Sequence, residues 1–260
     1  MNHELMGLTT MLRTVMAVCI ALMVVLSGMF PDTGWADDKK KGGGWPEKGA
    51  VDYRASYGVG GLVIGQGFYS WEHDGRKYQM RLALETTGMA AMLYKLDYVQ
   101  LSQGDIGENG LRPQRFEVIQ QGRAPETALF DWKGETGARV SIRRGEQERH
   151  NFELTPGDQD ILSIWRQLSH VDKLPTSLLV VANKNARQAK VLSLEDAELK
   201  VPAGRFATRH FSARSEDGKL KIDLWLANDH HKVPVRIILG DEKSDTLVFE
   251  ATAIRVPSSN

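Results

Sequence analysis

The stretch VDYRASYGVGGLVIGQGFYSWEHDGRKYQMRLAL, residues 51–84, decides the fold. Its first residues alternate between apolar and polar side chains, with Val51 and Tyr53 on one side and Asp52 and Arg54 on the other. A period of two residues is typical of a strand that buries one face. We therefore predict that the folded part of the chain opens with a half-buried strand.

The dipeptide Asp74-Gly75 separates two further alternating runs, Leu62–Glu72 and Tyr78–Glu85. Asp-Gly between such runs is a strong signal for a β-hairpin, because both residues tolerate the positive φ of tight turns. Short alternating runs and glycine-bearing turns continue to Arg255 and predict about fourteen strands, well above ordinary strand content. The predicted fold class is all-β and mainly antiparallel, with a curved meander that forms a rolled, spiral or half-barrel sheet.

One segment, Pro156–Leu168, departs from this alternation. Thr155 can cap a helix there, proline suits the first helical position, and Asp158 and Asp160 favour the positive end of the helix dipole. Apolar residues at spacings of three and four then form one stripe. They are Ile161, Ile164, Trp165 and Leu168. We predict a single amphipathic helix, packed against the concave side of the sheet.

The first residues indicate export from the cytoplasm. Arg13 precedes an apolar run, Val15–Leu26, and small residues stand at Gly34 and Ala36. This pattern is typical of a signal peptide, and the run is too short to span a bilayer. We predict a signal peptide at residues 1–36, cleavage between Ala36 and Asp37, and a periplasmic location.

The remaining chain is predicted to contain a flexible leader at residues 37–50 and a single β-rich domain at residues 51–257. The leader mixes charge, glycine and proline without an apolar period that could pack a core. No second apolar segment in the sequence is long enough to cross a membrane.

Composition excludes several kinds of site. Cys19 is the single cysteine, so removal of the signal peptide leaves no disulfide, zinc-thiolate site or thiol nucleophile. The chain has 33 basic and 33 acidic residues, which provides no electrostatic attraction for nucleic acid or anionic membranes. We expect no nucleic-acid partner.

Two motifs that suggest chemistry have simpler interpretations. The cluster Asp229-His230-His231 lies between two predicted strands, and adjacent histidines in an extended chain point to opposite faces, so a metal site is not favoured. The glycine-rich stretch Gly58–Gly67 resembles a phosphate loop, but alternation continues on both sides of it, so a glycine-eased hairpin is the better interpretation. No cofactor and no metal ligand are predicted.

Large aromatic residues are expected to fill the core. Trp71, Trp132, Trp165 and Trp225 fall on predicted strands or on the apolar face of the predicted helix. A cavity for an apolar ligand is the alternative, because a curled sheet of many strands can enclose more volume than its side chains fill.

Several stretches together resemble the bacterial domain of unknown function 3108 family. They are YGVGGLVIGQG (Tyr57–Gly67), LSQGDIGENGLRPQRF (Leu101–Phe116), GDQDILSIWRQL (Gly157–Leu168), VPAGRFATRHF (Val201–Phe211) and IDLWLANDHHKVPVRI (Ile222–Ile237). The matching positions are Gly65, Ser102, Gly104, Gly110, Leu111, Pro113, Asp160, Ser163, Pro202, Gly204, Trp225, Leu226, Pro234 and Val235. The resemblance implies exported proteins of Gram-negative bacteria with a β-rich domain and no assigned activity.

We expect a non-enzymatic protein that binds an apolar or lipid ligand, or a partner protein of the cell envelope. A hydrolase that uses Asp158 or Asp160 with a histidine is one alternative, and a purely structural envelope domain is another. No catalytic residue is predicted, because capping explains both acids. The candidates for ligand binding or for the family motif are Gly65, Ser102, Asp160, Ser163, Trp165, Trp225 and Pro234.

Overall fold

The structure is a computed structural model that describes residues 45–58, 61–93, 96–135, 137–170, 175–241 and 246–256. The predicted signal peptide, Cys19, the cleavage site between Ala36 and Asp37, and residues 37–44 of the predicted leader lie outside the described residues. No helix in the described ranges is long and apolar enough to cross a membrane.

The described residues form one unclosed sheet, mostly antiparallel, and 66% of them are strand, which confirms the predicted fold class. The first eight strands are β1 (Lys48–Tyr57), β2 (Leu62–His73), β3 (Lys77–Thr86), β4 (Asp97–Gly107), β5 (Gly110–Gln120), β6 (Glu126–Asp131), β7 (Arg139–Arg144) and β8 (Gln147–Glu153). The others are β9 (Gln159–Asp160), β10 (Ser177–Ala182), β11 (Asn185–Ser193), β12 (Ala197–Val201), β13 (Gly204–Ser215), β14 (Lys221–Ala227), β15 (Pro234–Gly240) and β16 (Leu247–Arg255).

The strand order joins the two halves of the chain at β1 and β16. From one edge it runs β8-β7-β6-β5-β4-β3-β2-β1-β16-β15-β14-β13-β11-β10-β9, and β12 pairs with β13 beside this path. Each strand from β1 to β8 pairs with its sequence neighbour, which is the meander that the alternation predicted. Within the described residues β9 pairs with β10 in parallel.

The Asp-Gly hairpin is present, one residue later than predicted. The Asp74 amide donates to the Lys77 carbonyl, so the two loop residues are Gly75, at φ +84°, and Arg76. Asp74 Oδ1 accepts hydrogen bonds from the amides of Arg76 and Lys77, at 2.8 and 2.7 Å. The aspartate therefore organises the turn from its first position.

The folded part begins before residue 51. β1 starts at Lys48, and Trp45 is only 7% exposed. The Trp71 indole donates to the Pro46 carbonyl at 2.9 Å, and the His73 amide donates to the Glu47 carbonyl. Residues 45–50 of the predicted leader thus belong to the fold, because tertiary contacts order a stretch without an apolar period.

The predicted helix at Pro156–Leu168 is real in its second half and wrong in its first. Helix α2 spans Ile164–His170, and Thr155 does not cap it. Gly157 lies at φ +105°, outside helical space, and the next two residues form β9. Aspartate side chains that bond nearby backbone groups compete with helix formation, and two such aspartates stand in this segment.

A second short helix was not predicted. Helix α1 spans Gly88–Leu93 between β3 and β4. Six residues make fewer than two helical turns, which is too short for an apolar periodicity to be recognised in the sequence. The helix lies against the start of β2, because the Thr87 amide donates to the Ile64 carbonyl at 3.3 Å.

The segment at residues 158–168, which runs from β9 into α2, lies inside the curled sheet. Its side chains contact β2, β5, β10 and the β14–β15 turn, which are far apart in the strand order. A flat sheet could not bring these strands to one segment, so the sheet wraps around it. Trp71 and Trp165 are buried there as predicted, whereas Trp132 and Trp225 are half-buried at the periphery of the core.

Candidate functional site

Residues Asp158–Leu168, here called the interior segment, are all buried. Six of them are polar: Asp158, Gln159, Asp160, Ser163, Arg166 and Gln167. Buried polar groups are costly unless they are hydrogen-bonded, so their partners determine what this segment can do.

Asp160 is the centre of a hydrogen-bond network that joins the segment to β4. Its Oδ2 accepts from Ser102 Oγ at 2.6 Å, and its Oδ1 accepts from the amides of Leu162 and Ser163 at 2.9 and 2.8 Å. The Tyr78 hydroxyl lies 3.4 Å from Ser102 Oγ. Burial raises the pKa of Asp160, although the bonds from Ser102 and Ser163 oppose this effect. The carboxyl group is therefore an acceptor that holds two strands and a turn together.

Asp158 has a similar architectural role on the other side. Its Oδ1 accepts from the Leu179 amide of β10 at 2.7 Å, and its Oδ2 accepts from the Thr155 amide and hydroxyl. Within the described residues no histidine bonds to Asp158 or Asp160. The carboxylate-histidine pair that the hydrolase alternative needs is thus not formed by these two acids in that part of the chain.

Two glutamines fasten the tip of the β4–β5 hairpin. Gln167 Oε1 accepts from the Leu111 amide at 2.6 Å, its Nε2 donates to the Asn109 carbonyl, and Gln159 Nε2 donates to the Leu111 carbonyl. Gly110 lies at φ +93°, and a Cβ there would stand 2.3 Å from the Gln167 amide. The hairpin backbone can approach the segment this closely only because residue 110 is glycine.

Arg166 has more unsatisfied polar atoms than the other residues of the interior segment, in which Gln159 Oε1 and Trp165 Nε1 also lack a partner among the described residues. The residue is 2% exposed, and its Nη1 donates to the carbonyls of His231 and Lys232 at 2.8 and 3.2 Å. Its Nε and Nη2 are buried without a hydrogen-bond partner. No carboxylate forms an ion pair with it among the described residues. The guanidinium is therefore a buried cation with two nitrogens, Nε and Nη2, that donate no hydrogen bond among the described residues.

Aromatic rings surround this cation. The guanidinium carbon lies 4.8 Å from the Trp45 ring centroid and 5.4 Å from that of Trp71. Tyr69 packs against Trp165 with ring centroids 5.2 Å apart, and both the Tyr69 hydroxyl and Trp165 Nε1 are buried without a partner. Arg166, Trp45, Tyr69, Trp71 and Trp165 are hereafter called the Arg166 site.

The electrostatics of the Arg166 site reflect an uncompensated charge. Burial lowers the pKa of Arg166 to about 10, while neighbouring Tyr69 and Tyr53 oppose the shift. Burial raises the pKa of Tyr69, so its hydroxyl stays neutral. Cation–π contacts of this kind contribute about 1–2 kcal/mol when desolvated, which is less than the cost of burying a lone cation. The Arg166 site thus contains hydrogen-bond donors without partners and no anionic group to accept from them among the described residues.

Residues Trp45–Glu47, here called the strap, cover one side of Arg166 with the Trp45 ring. The Trp45 ring lies 4.2 Å from the His73 ring, and burial followed by the Arg166 charge lowers the pKa of His73. A surface cleft of about 510 Å³ lies beside the strap, with His73 and Tyr78 in its wall. His73 therefore contacts the strap on one side and lines the cleft on the other.

The remaining motif candidates lie elsewhere. A Cβ at Gly65 would stand 2.0 Å from the Glu85 carbonyl oxygen, so this glycine permits close contact of β2 and β3. The Pro234 carbonyl accepts from the buried Tyr53 hydroxyl at 2.7 Å. Trp225 is half-buried, and it stacks on His210 at 4.0 Å with Arg236 over its ring. These positions explain packing, whereas Ser102, Asp160, Ser163 and Trp165 meet in the interior.

In the Asp229-His230-His231 cluster, the backbone of His231 and not an imidazole ring contacts Arg166. His231 and Lys232 both have φ of +52°, a conformation that costs energy for residues other than glycine, and both carbonyls accept from Arg166. The His230 ring packs edge-on against Phe206. No group of three potential metal ligands occurs in the described part of the chain.

One histidine does contact a carboxylate. His210 Nε2 lies 3.3 Å from Asp223 Oδ1, and Arg214 holds the same carboxylate through both oxygens at 2.8–2.9 Å. The His210 ring is also stacked on Trp225. Asp223 is already neutralised by Arg214, so this contact has the character of a structural ion-pair group.

Sequence reasoning missed Arg166, Tyr69 and Trp45 as site residues. Arg166 would lie on the polar face of the predicted helix, and Trp45 lies in the predicted leader. The local pattern contains no signal for either, because the sheet that buries them is built from other parts of the chain.

The comparisons with known proteins concern the whole fold. The family profile described as "Protein of unknown function (DUF3108)" matches residues 52–252. No curated protein matches the chain. A solved structure named as a lipoprotein, from Parabacteroides distasonis ATCC 8503, is 8% identical, with 81% of this chain and 97% of that chain covered and a TM-score of 0.34. An exported protein with a YmcC-like fold from Bacteroides fragilis NCTC 9343 has the same identity and coverage and a TM-score of 0.32. Because the profile spans most of its length, this chain belongs to the DUF3108 family of proteins of unknown function, as its sequence motifs predicted.

Proposed function

We propose that this is an exported, non-enzymatic protein of the periplasm that binds a small ligand with an anionic group and an apolar body. The observation that carries the proposal is the buried guanidinium of Arg166, whose Nε and Nη2 have no partner within the described structure. The anionic group would bind there, and the apolar body would pack against the aromatic rings of the Arg166 site.

The need for an acceptor follows from the cost of a buried charge. An ionised group removed from water requires a counter-charge or a full set of hydrogen bonds. Arg166 has two carbonyl partners and two ring contacts, which leaves two of its nitrogens unused. A carboxylate or phosphate oxygen can accept from Nε and Nη2 together, because the guanidinium presents these donors in a planar fork.

The surroundings favour an amphiphilic ligand over a free inorganic anion. Trp45, Tyr69, Trp71 and Trp165 provide apolar walls, and the Tyr69 hydroxyl and Trp165 Nε1 provide two further donors. Ligand sites of this kind combine apolar lining with a few polar groups that orient the ligand. Movement of the Trp45–Glu47 strap would connect the site with the cleft beside it.

The other expectations fit this proposal in part. The predicted signal peptide and cleavage after Ala36 would deliver the protein to the periplasm. An envelope partner protein is an alternative occupant, and a purely structural domain would need no ligand. A hydrolase is not favoured, because Asp158 and Asp160 hold backbone amides and hydroxyls in the interior.

Native mass spectrometry of the protein purified gently from the periplasm tests the proposal. We expect a bound small molecule in the wild type and its loss in Arg166→Met, which keeps the apolar length of the side chain and removes the charge. The control is Arg236→Met, because Arg236 also lies over a tryptophan ring but pairs with Glu250 on the outer face.

A defined probe gives a second readout. Decanoate should raise the midpoint of thermal unfolding of the wild type and of Arg236→Met but not of Arg166→Met, because a ligand that binds only the native state stabilises it. Equal adducts and equal midpoint shifts in all three proteins would place the ligand elsewhere and contradict the proposal.

A further inference from the structure

A second unusual feature lies at the opposite end of β2 from the Arg166 site. Four large apolar side chains are exposed there: Leu62 at 72%, Val63 at 49%, Met89 at 81% and Met92 at 88%. We call them the apolar tip. Leu62 and Trp71 are nine residues apart on β2, which corresponds to about 30 Å in an extended strand.

The apolar tip is held by the backbone of the fold. The Thr87 amide donates to the Ile64 carbonyl at 3.3 Å, and the Leu96 amide donates to Thr86 Oγ1 at 2.8 Å. These bonds anchor α1 against the start of β2. Met89 and Met92 are three residues apart on α1 and therefore project from the same face of the helix.

The sequence around the apolar tip is uncharged. Neither Tyr57–Gly65 nor Thr86–Tyr94 contains an aspartate, glutamate, lysine or arginine. The nearest polar pair on the adjacent strands is Gln66 with Glu85, which are hydrogen-bonded to each other. These two segments therefore offer a partner apolar contact and no formal charge of their own.

The shape and size of the tip decide which partner it fits. Leu62, Met89 and Met92 are 72–88% exposed, so they protrude from the surface and do not line a groove. A stable interface with a second protein buries about 800 Å² per partner, which needs some 20–30 residues. One six-residue helix and two strand residues fall well short of this. A lipid surface has no such minimum, because each apolar side chain inserts independently.

We infer that the apolar tip docks this protein reversibly and end-on at the surface of a lipid bilayer, with Leu62 and Val63, which project to opposite faces of β2, and Met89 and Met92 inserted among the headgroups. Four apolar side chains on a neutral surface resemble a single acyl chain, whose membrane binding is reversible and independent of lipid charge. Docking at this end leaves the Arg166 site and its cleft directed away from the lipid. The inference stands independently of a ligand at Arg166.

Flotation with vesicles of phosphatidylcholine and phosphatidylethanolamine tests the inference on the purified protein. We expect the wild type to float with the vesicles at both low and high salt. The double variant Met89→Ser, Met92→Ser should lower the bound fraction about tenfold, since it removes two of the four inserted side chains. The control is Leu192→Ser, because Leu192 is 57% exposed and lies on β11, outside the apolar tip.

Three results would overturn the inference. The double variant could float like the wild type, or Leu192→Ser could lose binding equally. Binding could require phosphatidylglycerol and vanish at high salt, which would indicate charge-driven association. Absence of flotation, together with a wild-type dimer that the double variant abolishes in sedimentation velocity, would assign the tip to a second copy of the chain.

Discussion

The interior segment and the apolar tip break the same rule of folding in opposite directions. The interior segment buries six polar residues, whereas the tip exposes four large apolar ones. The segment is nevertheless stabilised, because both aspartates, Ser163 and Gln167 find hydrogen-bond partners within the segment or on the elements around it. The tip gains no such compensation within the described structure. The difference teaches that buried polarity here is mainly architectural, while the groups without compensation, Arg166 and the tip, indicate function.

The strongest way to break this comparison is Asp160→Ala. It removes the acceptor of Ser102 Oγ and of the amides of Leu162 and Ser163. Buried donors left without partners should lower the free energy of unfolding by about 3–5 kcal/mol. Urea denaturation measures the loss, and a change below about 1 kcal/mol would show that the network is not structural.

Gly110→Ala tests how closely the β4–β5 hairpin must approach the interior segment. The new Cβ would meet the Gln167 amide at 2.3 Å and would occupy a residue at positive φ, so we expect a loss of about 2–3 kcal/mol. Gly75→Ala is the matched control, because Gly75 also has positive φ but open space around it. Thermal unfolding compares the two variants. Equal losses of stability would show that the close approach to Gln167 contributes nothing to the effect of Gly110→Ala.

The pH dependence of stability sharpens the role of Asp160. Burial raises its pKa in the folded state, so the folded protein holds this proton more tightly than the unfolded chain. Its contribution is fully present below the unfolded pKa near 3.8 and is lost as pH rises through the higher folded pKa. The difference in unfolding free energy between wild type and Asp160→Asn should therefore shift against the wild type as pH rises from 4 towards neutrality. A difference that stays constant, or that shifts towards the wild type, would contradict the raised pKa.

The smallest expected effect belongs to the apolar tip. The double variant Met89→Ser, Met92→Ser should change the free energy of unfolding by no more than about 0.5 kcal/mol, because both side chains are exposed. Urea denaturation of this variant beside Asp160→Ala completes the comparison. A loss above about 1.5 kcal/mol would mean that the two methionines pack against the fold. They would then have a structural role, and their exposure would no longer indicate a docking surface.

Much of the fold was predictable, because its signals are local. Every strand except the two-residue β9 overlaps a stretch that the sequence predicted to be a strand, and Asp74 forms the turn that the Asp-Gly pair predicted. The helix boundary was wrong because Gly157 adopts a positive φ, and because the side chains of Asp158 and Asp160 bond backbone amides where the first helical turns were predicted. Ser102, Asp160 and Ser163 were identified through family motifs, and the network that joins them was not visible in the sequence.

The sequence by itself determined the strands, the hairpins, the family and the absence of cysteine after residue 19. These depend on alternation, turn residues and composition, all of which act over a few neighbouring positions. The tertiary structure alone decided that Arg166 is buried beneath Trp45 and Trp71, and that His231 and Lys232 face it with their carbonyls. Such burial depends on which distant strands curl around a segment, so the periodicity of the segment itself does not contain it.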